Sequence, residues 1–396
     1  MPDESIIHVD RARAVEPATH VLVIGVSHYD HLPGGGGSPT GHAEGMGQLS
    51  SPAASAQAVA AWFLSGAFDN PERPLGSVAA VISDASSRTI RVGAREVEAP
   101  AADSSGVSQA VEEWFGRCNA NPENMAVLYF CGHGVASGSR MALILQDFGN
   151  KVANPYAGAL DLIALLTAME TCRASRQVFF IDACRVSASA LAGTDMALGQ
   201  KPLMPDVRRR LDLGTAAAQQ TYYATLPGEA AYARTGRPSV FAEAVLWALG
   251  GGAASDEDGE WWTTSFRLLE AIDFFSGRSR IGGSGTLQRP ESSRQSLLRV
   301  NRVNLDPASA TAYVGLEDHE AWTLASLSHS SDAGILLEAA AGMALSRAGL
   351  PDWEVRMSPG IYRFGVTWVM DAPYSAHNVR VWVVPPYKRV TLKVRP

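Results

Sequence analysis

Short apolar runs alternate with longer amphipathic stretches over the first three quarters of the chain. HVLVIGVS (20–27) is apolar and β-branched with no polar alternation, as expected of a strand covered on both faces. SAQAVAAWFLSG (55–66) has helical spacing, and GSVAAVISD (76–84) reads as the next strand. SGVSQAVEEWFGRC (105–118) reads as a helix opened by a capping serine. MAVLYFCG (125–132) is a third strand, MALILQD (141–147) a short hairpin strand, and LDLIALLTAMETC (160–172) a helix. RQVFFIDAC (176–184) is the fourth main strand, and QTYYATL (220–226) another. Two helices follow, SVFAEAVLWALGG (239–251) and SFRLLEAIDFF (265–275).

Strands separated by helical segments of this length predict right-handed crossovers and an α/β architecture. The sheet is mainly parallel, with helices on both faces. Ligands of such sheets bind beyond the carboxyl ends of the strands. From about residue 297 the pattern changes to period-two alternation, as in NVRVWVVPPYKRVTLKVRP, with an ambiguous GILLEAAAGMALSRAG (334–349). This predicts a small β-rich C-terminal domain, a sandwich. The division expected is an N-terminal extension over 1–17, an α/β domain over 18–290 and the β-rich domain over 297–396. A Gly/Ser-rich linker (281–295) precedes the last of these.

With 396 residues the chain exceeds one ordinary core, in keeping with two domains. A net charge of -7 and the lack of a long basic stretch argue against nucleic acid as a partner. No apolar run approaches the length of a membrane span, and the polar start lacks the order of a signal peptide. The expected location is the cytoplasm. The four cysteines have no metal-ligand spacing, so neither a disulfide framework nor a metal site is expected, and no cofactor.

HLPGGGGSPTGHAEGMG (31–47) lies between a strand and a helix, where a dinucleotide fingerprint would be. No register gives G-x-G-x-x-G or G-x-x-x-x-G-K-[ST]. The segment reads as a flexible surface loop that could gate a cleft, and His28, His31 and His42 receive no role.

Two residues carry chemistry. His133 stands between Gly132 and Gly134 where one strand ends, and Cys184 stands between Asp182-Ala183 and Arg185 where another ends. An imidazole can take the proton of a thiol whose ordinary pKa is about 8.5. The anion formed on attack at a carbonyl needs N–H donors, for which the backbones of Gly134 and Cys184 are the candidates. The 51 positions between His133 and Cys184 equal one crossover, and adjacent parallel strands lie about 4.8 Å apart. Cys118, Cys131 and Cys172 read as inert core thiols. Asp182 has a bland alternative as a helix cap or an ion pair with Arg185.

YFCGHG followed by FFIDACR resembles the caspase/metacaspase superfamily of cysteine peptidases, and most of all its bacterial caspase-like members. The likeness extends over roughly residues 18 to 290. It implies a dyad of His133 and Cys184. In the metacaspase and paracaspase branches an acid two residues before the nucleophile accompanies cleavage after Arg or Lys. Asp182 takes that position, with Glu229 as a second acid of the S1 site. The acid those branches often carry at the start of the first helix is replaced by Ser55 or its neighbours. The long segment 185–220 would shape the cleft, and Arg208, Arg209 and Arg210 would suit self-cleavage. The resemblance implies a regulated endopeptidase acting on a peptide or protein substrate. The C-terminal domain would bind a small-molecule or protein activator, and the chain would serve as an effector of antiphage defence. The competing reading is a silent caspase-like fold used as a binding or scaffold module. Trp322, Trp353, Trp368, Trp382 and Tyr387 read as core packing of the C-terminal domain.

Overall fold

In a computed structural model, the apolar runs that end at His133 and Cys184 lie side by side in the middle of one sheet. The structure describes residues 5–10, 16–43, 45–138, 140–187, 198–206, 217–226, 235–278, 289–293, 296–318, 320–347 and 352–395. In chain order the first unit opens with β1 (Ile6–Val9), β2 (Thr19–Val26), α1 (Pro52–Leu64) and β3 (Leu75–Ser83). A hairpin of β4 (Thr89–Val92) and β5 (Arg95–Glu98) leads to α2 (Ser104–Cys118) and β6 (Met125–Gly132). Then come β7 (Gly134–Ser137), β8 (Arg140–Ile144), β9 (Ala159–Asp161), α3 (Leu162–Met169), β10 (Arg176–Ala183), β11 (Val186–Ser187) and β12 (Ala218–Tyr223). The unit closes with α4 (Val240–Trp247), β13 (Ala254–Glu257), β14 (Glu260–Thr264), α5 (Ser265–Arg278), β15 (Glu291–Ser293) and β16 (Arg299–Val303).

The main sheet has the order β1-β3-β2-β6-β10-β12-β15. Its five inner strands are parallel, and the edge strands β1 and β15 run antiparallel to their neighbours. The α/β expectation therefore holds. Alternation along each buried strand feeds two cores. Leu128, Phe130, Phe179 and Ile181 pack with α2 and α3, whereas Val127, Tyr129, Val178 and Phe180 pack with α1, α4 and α5. This explains the continuous hydrophobic character of these strands, since both faces are covered.

Several local expectations change. The first unit is longer than 18–290 at both ends, because β1 joins the main sheet and β16 pairs with β14. Part of the expected linker is β15, paired with β12. Helix α2 is capped by Asp103, whose carboxylate accepts from Gly106 N–H at 2.7 Å, and not by a serine. The ambiguous 334–349 segment splits into a strand and a short helix.

The C-terminal unit comprises β17 (Ala310–Leu316), β18 (Ala325–Ser331), β19 (Leu336–Ala341), α6 (Gly342–Arg347), β20 (Trp353–Met357), β21 (Gly360–Trp368), β22 (His377–Val383) and β23 (Tyr387–Leu392). Two sheets, β20-β17-β23 and β19-β18-β21-β22, enclose one core with Trp322, Trp353 and Phe364 inside. Trp322 and Trp353 are thus core residues, as expected, but Trp382 is 69% exposed. The unit docks on the first through aromatic and ionic contacts. Tyr387 stacks on Phe274 of α5 at 4.6 Å between ring centroids. Arg278 covers the Tyr313 ring at 4.0 Å and pairs with Asp352 at 2.6 Å.

Candidate active site

Strand pairing brings His133 and Cys184 together. β6 and β10 pair in parallel up to Gly132 opposite Ala183. The same two chain segments resume pairing three positions on as β7 and β11, with Val135 opposite Val186. The offset is 51 residues on both sides of the break. His133 and Cys184 fall in the break, at matching positions of the two segments, and both line one cleft.

The glycines flanking His133 have separate steric reasons. A Cβ on Gly134 would lie 2.7 Å from the Cys184 carbonyl oxygen and 2.9 Å from Ala183 Cβ. A Cβ on Gly132 would lie 3.0 Å from the Tyr29 hydroxyl and 3.1 Å from the Phe130 ring. Gly134 lets the two strands close up beside the thiol, and Gly132 makes room for the ring that supports the histidine.

His133 is held from two directions. Its backbone N–H donates to the Tyr29 hydroxyl at 2.9 Å, and the two rings lie 5.0 Å apart between centroids. Its Nε2 lies 2.8 Å from the Gly47 carbonyl oxygen. A carbonyl only accepts, so Nε2 carries the hydrogen and a neutral ring has its lone pair on Nδ1. Burial pushes the His133 pKa below the usual imidazole value, against an opposing pull from the Gly47 carbonyl. The resting ring at neutral pH is therefore neutral, with its lone pair on Nδ1. Gly47 belongs to the glycine-rich segment expected to be a flexible loop. Its carbonyl is instead the group that sets the tautomer of the histidine.

A cleft of about 370 Å³ opens at this point, lined by Gln48, Ser51, His133, Asp182, Cys184 and Ser239, among others. Cys184 is half-buried, whereas Cys118, Cys131 and Cys172 are buried, as expected of core thiols. Asp182 forms part of the cleft wall and is only 3% exposed. Its Oδ2 accepts from the Tyr129 hydroxyl at 2.7 Å and from the Ser239 hydroxyl. Burial raises the Asp182 pKa, and the bonds from Ser239, Tyr129 and the Cys131 thiol oppose that rise. Burial also holds Cys131 well above the usual thiol range, so it stays a neutral donor. None of these partners is a cation.

The two bland readings of Asp182 separate. Arg185 does not pair with it; that guanidinium pairs with Glu291 and covers the Tyr223 ring at 4.5 Å. Asp182 does hold a helix cap, because Ser239 is the N-cap of α4 and accepts from Ala242 N–H at 2.9 Å. Ser55 of α1 completes the cluster by accepting from Ser239 N–H at 2.9 Å. No residue type announced Tyr129, Ser239 or the Gly47 carbonyl in the sequence. The glycines before Gly47 gave only a flexibility signal. Glu229, Arg208, Arg209 and Arg210 lie outside the described residues. Among the described residues no cluster of His, Cys, Asp and Glu fits a metal ion. Among them, too, no helix is long and apolar enough to cross a membrane.

The caspase domain family model matches residues 18–300. The chain belongs to the caspase-domain family. A curated relative, the uncharacterized protein y4kE of Sinorhizobium fredii, is 30% identical over 210 residues, covering 49% of this chain and 58% of that protein. The chain thus matches less than two thirds of that relative's length. Among solved structures, caspase-1 from Spodoptera frugiperda covers 74% of this chain and 94% of its own at 12% identity and a TM-score of 0.41. A likeness this loose bears no argument about the site. The caspase domain accounts for the first unit and leaves the C-terminal unit outside the match.

Proposed function

We propose that the chain is a regulated cysteine endopeptidase in which His133 and Cys184 form the dyad and Asp182 selects Arg or Lys before the cut bond. The observation that carries this reading is the break in strand pairing, at which a half-buried thiol and an imidazole line one cleft whose wall holds a buried carboxylate. The Nδ1 atom of His133 takes the Cys184 proton, and the thiolate attacks the scissile carbonyl carbon. The resulting oxyanion accepts from the Gly134 and Cys184 N–H groups. Collapse breaks the C–N bond, and the proton on Nδ1 passes to the leaving amine. Water, deprotonated by the same Nδ1, then hydrolyses the thioester and restores the thiol.

Asp182 suits a basic side chain because a buried carboxylate surrounded by neutral donors gains most from a cation. The C-terminal unit is the regulatory part of this proposal. Support comes from α4, whose cap Ser239 bonds Asp182 while its last residue, Trp247, meets Tyr387 at 5.3 Å between centroids. A ligand or partner on that unit would act on the cleft wall through one short helix. An effector role in antiphage defence comes from the family resemblance alone, and phage plating on cells carrying wild type or Cys184→Ala tests it.

The test of the central reading is a panel of fluorogenic peptides with Arg, Lys or Asp before the cleaved bond. The expected result is hydrolysis after Arg and Lys that disappears in Cys184→Ala. Hydrolysis that survives this substitution, or cleavage only after Asp, would overturn the assignment of the nucleophile or of the acid. Peptide binding without turnover by the wild type would favour a scaffold.

A further inference from the structure

We infer that Gln48 is a positioning residue for His133, clamping the glycine-rich loop so that the Gly47 carbonyl meets the imidazole. The inference rests on the peptidase reading above. Gln48 bonds the backbone of Tyr29 twice: Oε1 accepts from Tyr29 N–H at 2.8 Å, and Nε2 donates to the Tyr29 carbonyl at 2.9 Å. This is the pattern of a strand pair, made by a side-chain amide. Nε2 also lies 3.2 Å from the Pro33 carbonyl oxygen. One carboxamide therefore gathers the start of the loop to its end.

The two segments it joins are the two that hold the histidine. Gly47, directly before Gln48, accepts from Nε2 of His133, and Tyr29 accepts from the His133 backbone N–H. Between them, residues 30–46 include six glycines, at 34, 35, 36, 37, 41 and 45. Ordering such a segment is entropically costly, so its end needs a tie. Steric contact does not supply one at residue 47. A Cβ built there meets nothing closer than the Pro33 carbonyl oxygen at 3.9 Å. Directly before Gly47, Met46 packs against the core, and beyond Gln48 the Leu49 N–H donates to the Ser27 carbonyl at 2.9 Å. Between these anchors the Gln48 amide is the tie next to the carbonyl that orients the base. Without the amide, the Gly47–Gln48 peptide can turn between the two anchors and the imidazole loses the fixed partner that keeps its hydrogen on Nε2.

The titratable neighbours at this end of the cleft are Tyr29, Cys131, Asp182 and Cys184. Only the thiol of Cys184 among the cysteines is better than fully buried, so its alkylation can be followed alone. The experiment uses the full chain and needs no substrate. The rate of iodoacetamide alkylation of Cys184 is read by peptide mass spectrometry against pH, beside kcat and KM on an Arg peptide. Gln48→Met keeps the length of the side chain and removes every amide bond; Gln48→Ala removes both. In wild type, the neutral imidazole should take the thiol proton during attack, so Cys184 should alkylate at pH 7 faster than an ordinary thiol of pKa about 8.5. In both variants the rate should move toward that of an ordinary thiol, with alkylation at pH 7 falling roughly tenfold. The kcat should fall with it while KM stays within about twofold. A wild-type profile and kcat in Gln48→Met would overturn the inference, whatever the melting temperature does. If wild-type Cys184 itself alkylates as an ordinary thiol, the dyad fails first and the clamp has nothing to position.

Discussion

Replacing Asp182 by Asn tests the specificity reading with almost no change in shape. Asn keeps one oxygen to accept from Tyr129 or Ser239, so the cap of α4 can persist. What disappears is the charge. Asp182 is nearly inaccessible, so solvent screening gives little discount. Removing one partner of a buried ion pair costs about 3 kcal/mol, largely because the other charge is left unpaired. That corresponds to roughly a 150-fold loss of kcat/KM for an Arg peptide. A matched peptide with a neutral residue before the cut bond should change little. The pH dependence has a definite sign. Burial raises the carboxyl pKa, so as pH falls the group neutralises before an ordinary aspartate would. The Arg-over-neutral preference of wild type should then fade on an acid arm above the usual value of about 3.9, and Asp182→Asn should lack that arm. Stability runs the other way. A raised carboxyl pKa means that ionisation costs folding free energy as pH rises through it, so the variant should melt no lower than wild type at pH 7. Both peptides losing activity equally, together with a lower melting temperature, would show Asp182 to be only a cap anchor and refute the reasoning.

Two further perturbations test the frame of the first unit. Gly134→Ala places a methyl 2.7 Å from the Cys184 carbonyl oxygen, a backbone atom that cannot swing away. We expect about 1–3 kcal/mol of destabilisation and a large loss of activity, whereas Gly36→Ala, in open space, should be silent by thermal melting and peptide hydrolysis. The buried His20 has its pKa lowered to about 4 by burial and by Arg117. Below about pH 6.5 the unfolded chain takes up a proton that the folded chain refuses. Stability should therefore fall by on the order of 3 kcal/mol by about pH 4, and urea melts of His20→Asn should lack that slope. An unchanged slope would show that other groups carry the acid sensitivity.

The strands and crossovers were legible because each is a contiguous pattern. HVLVIGVS, MAVLYFCG and RQVFFIDAC are apolar on both faces, and the structure buries both faces. The placing of His133 and Cys184 followed from where two such runs stop. What stayed hidden depends on groups that have no residue-type signature. The Gly47 carbonyl exists at every position of every chain, and only the fold selects it. Gln48 looked like any polar loop residue, and Ser239 like any helix cap. The segment 334–349 misled because Leu, Glu and Ala favour a helix, yet Leu336–Ala341 pairs with β18 in the sheet. Tertiary pairing overrode propensity there, as a sheet edge within reach can do.

The same distinction explains why the proposed dyad was easier to find than its support. The roles proposed for His133 and Cys184 belong to side chains, and side chains are what a sequence spells out. The groups that hold His133 are a backbone carbonyl and a hydroxyl from the start of the loop, with the amide proposed to position them at its end, all brought in by a segment of low sequence information. A glycine-rich loop is unfavourable to order, and here the hydrogen bonds of one glutamine help oppose that cost. Flexibility in the sequence and order in the structure are thus compatible. The glycines let the chain turn back on itself, and the Gln48 amide, with backbone bonds such as Gly37 N–H to Asp30 and Leu49 N–H to Ser27, fixes where it arrives.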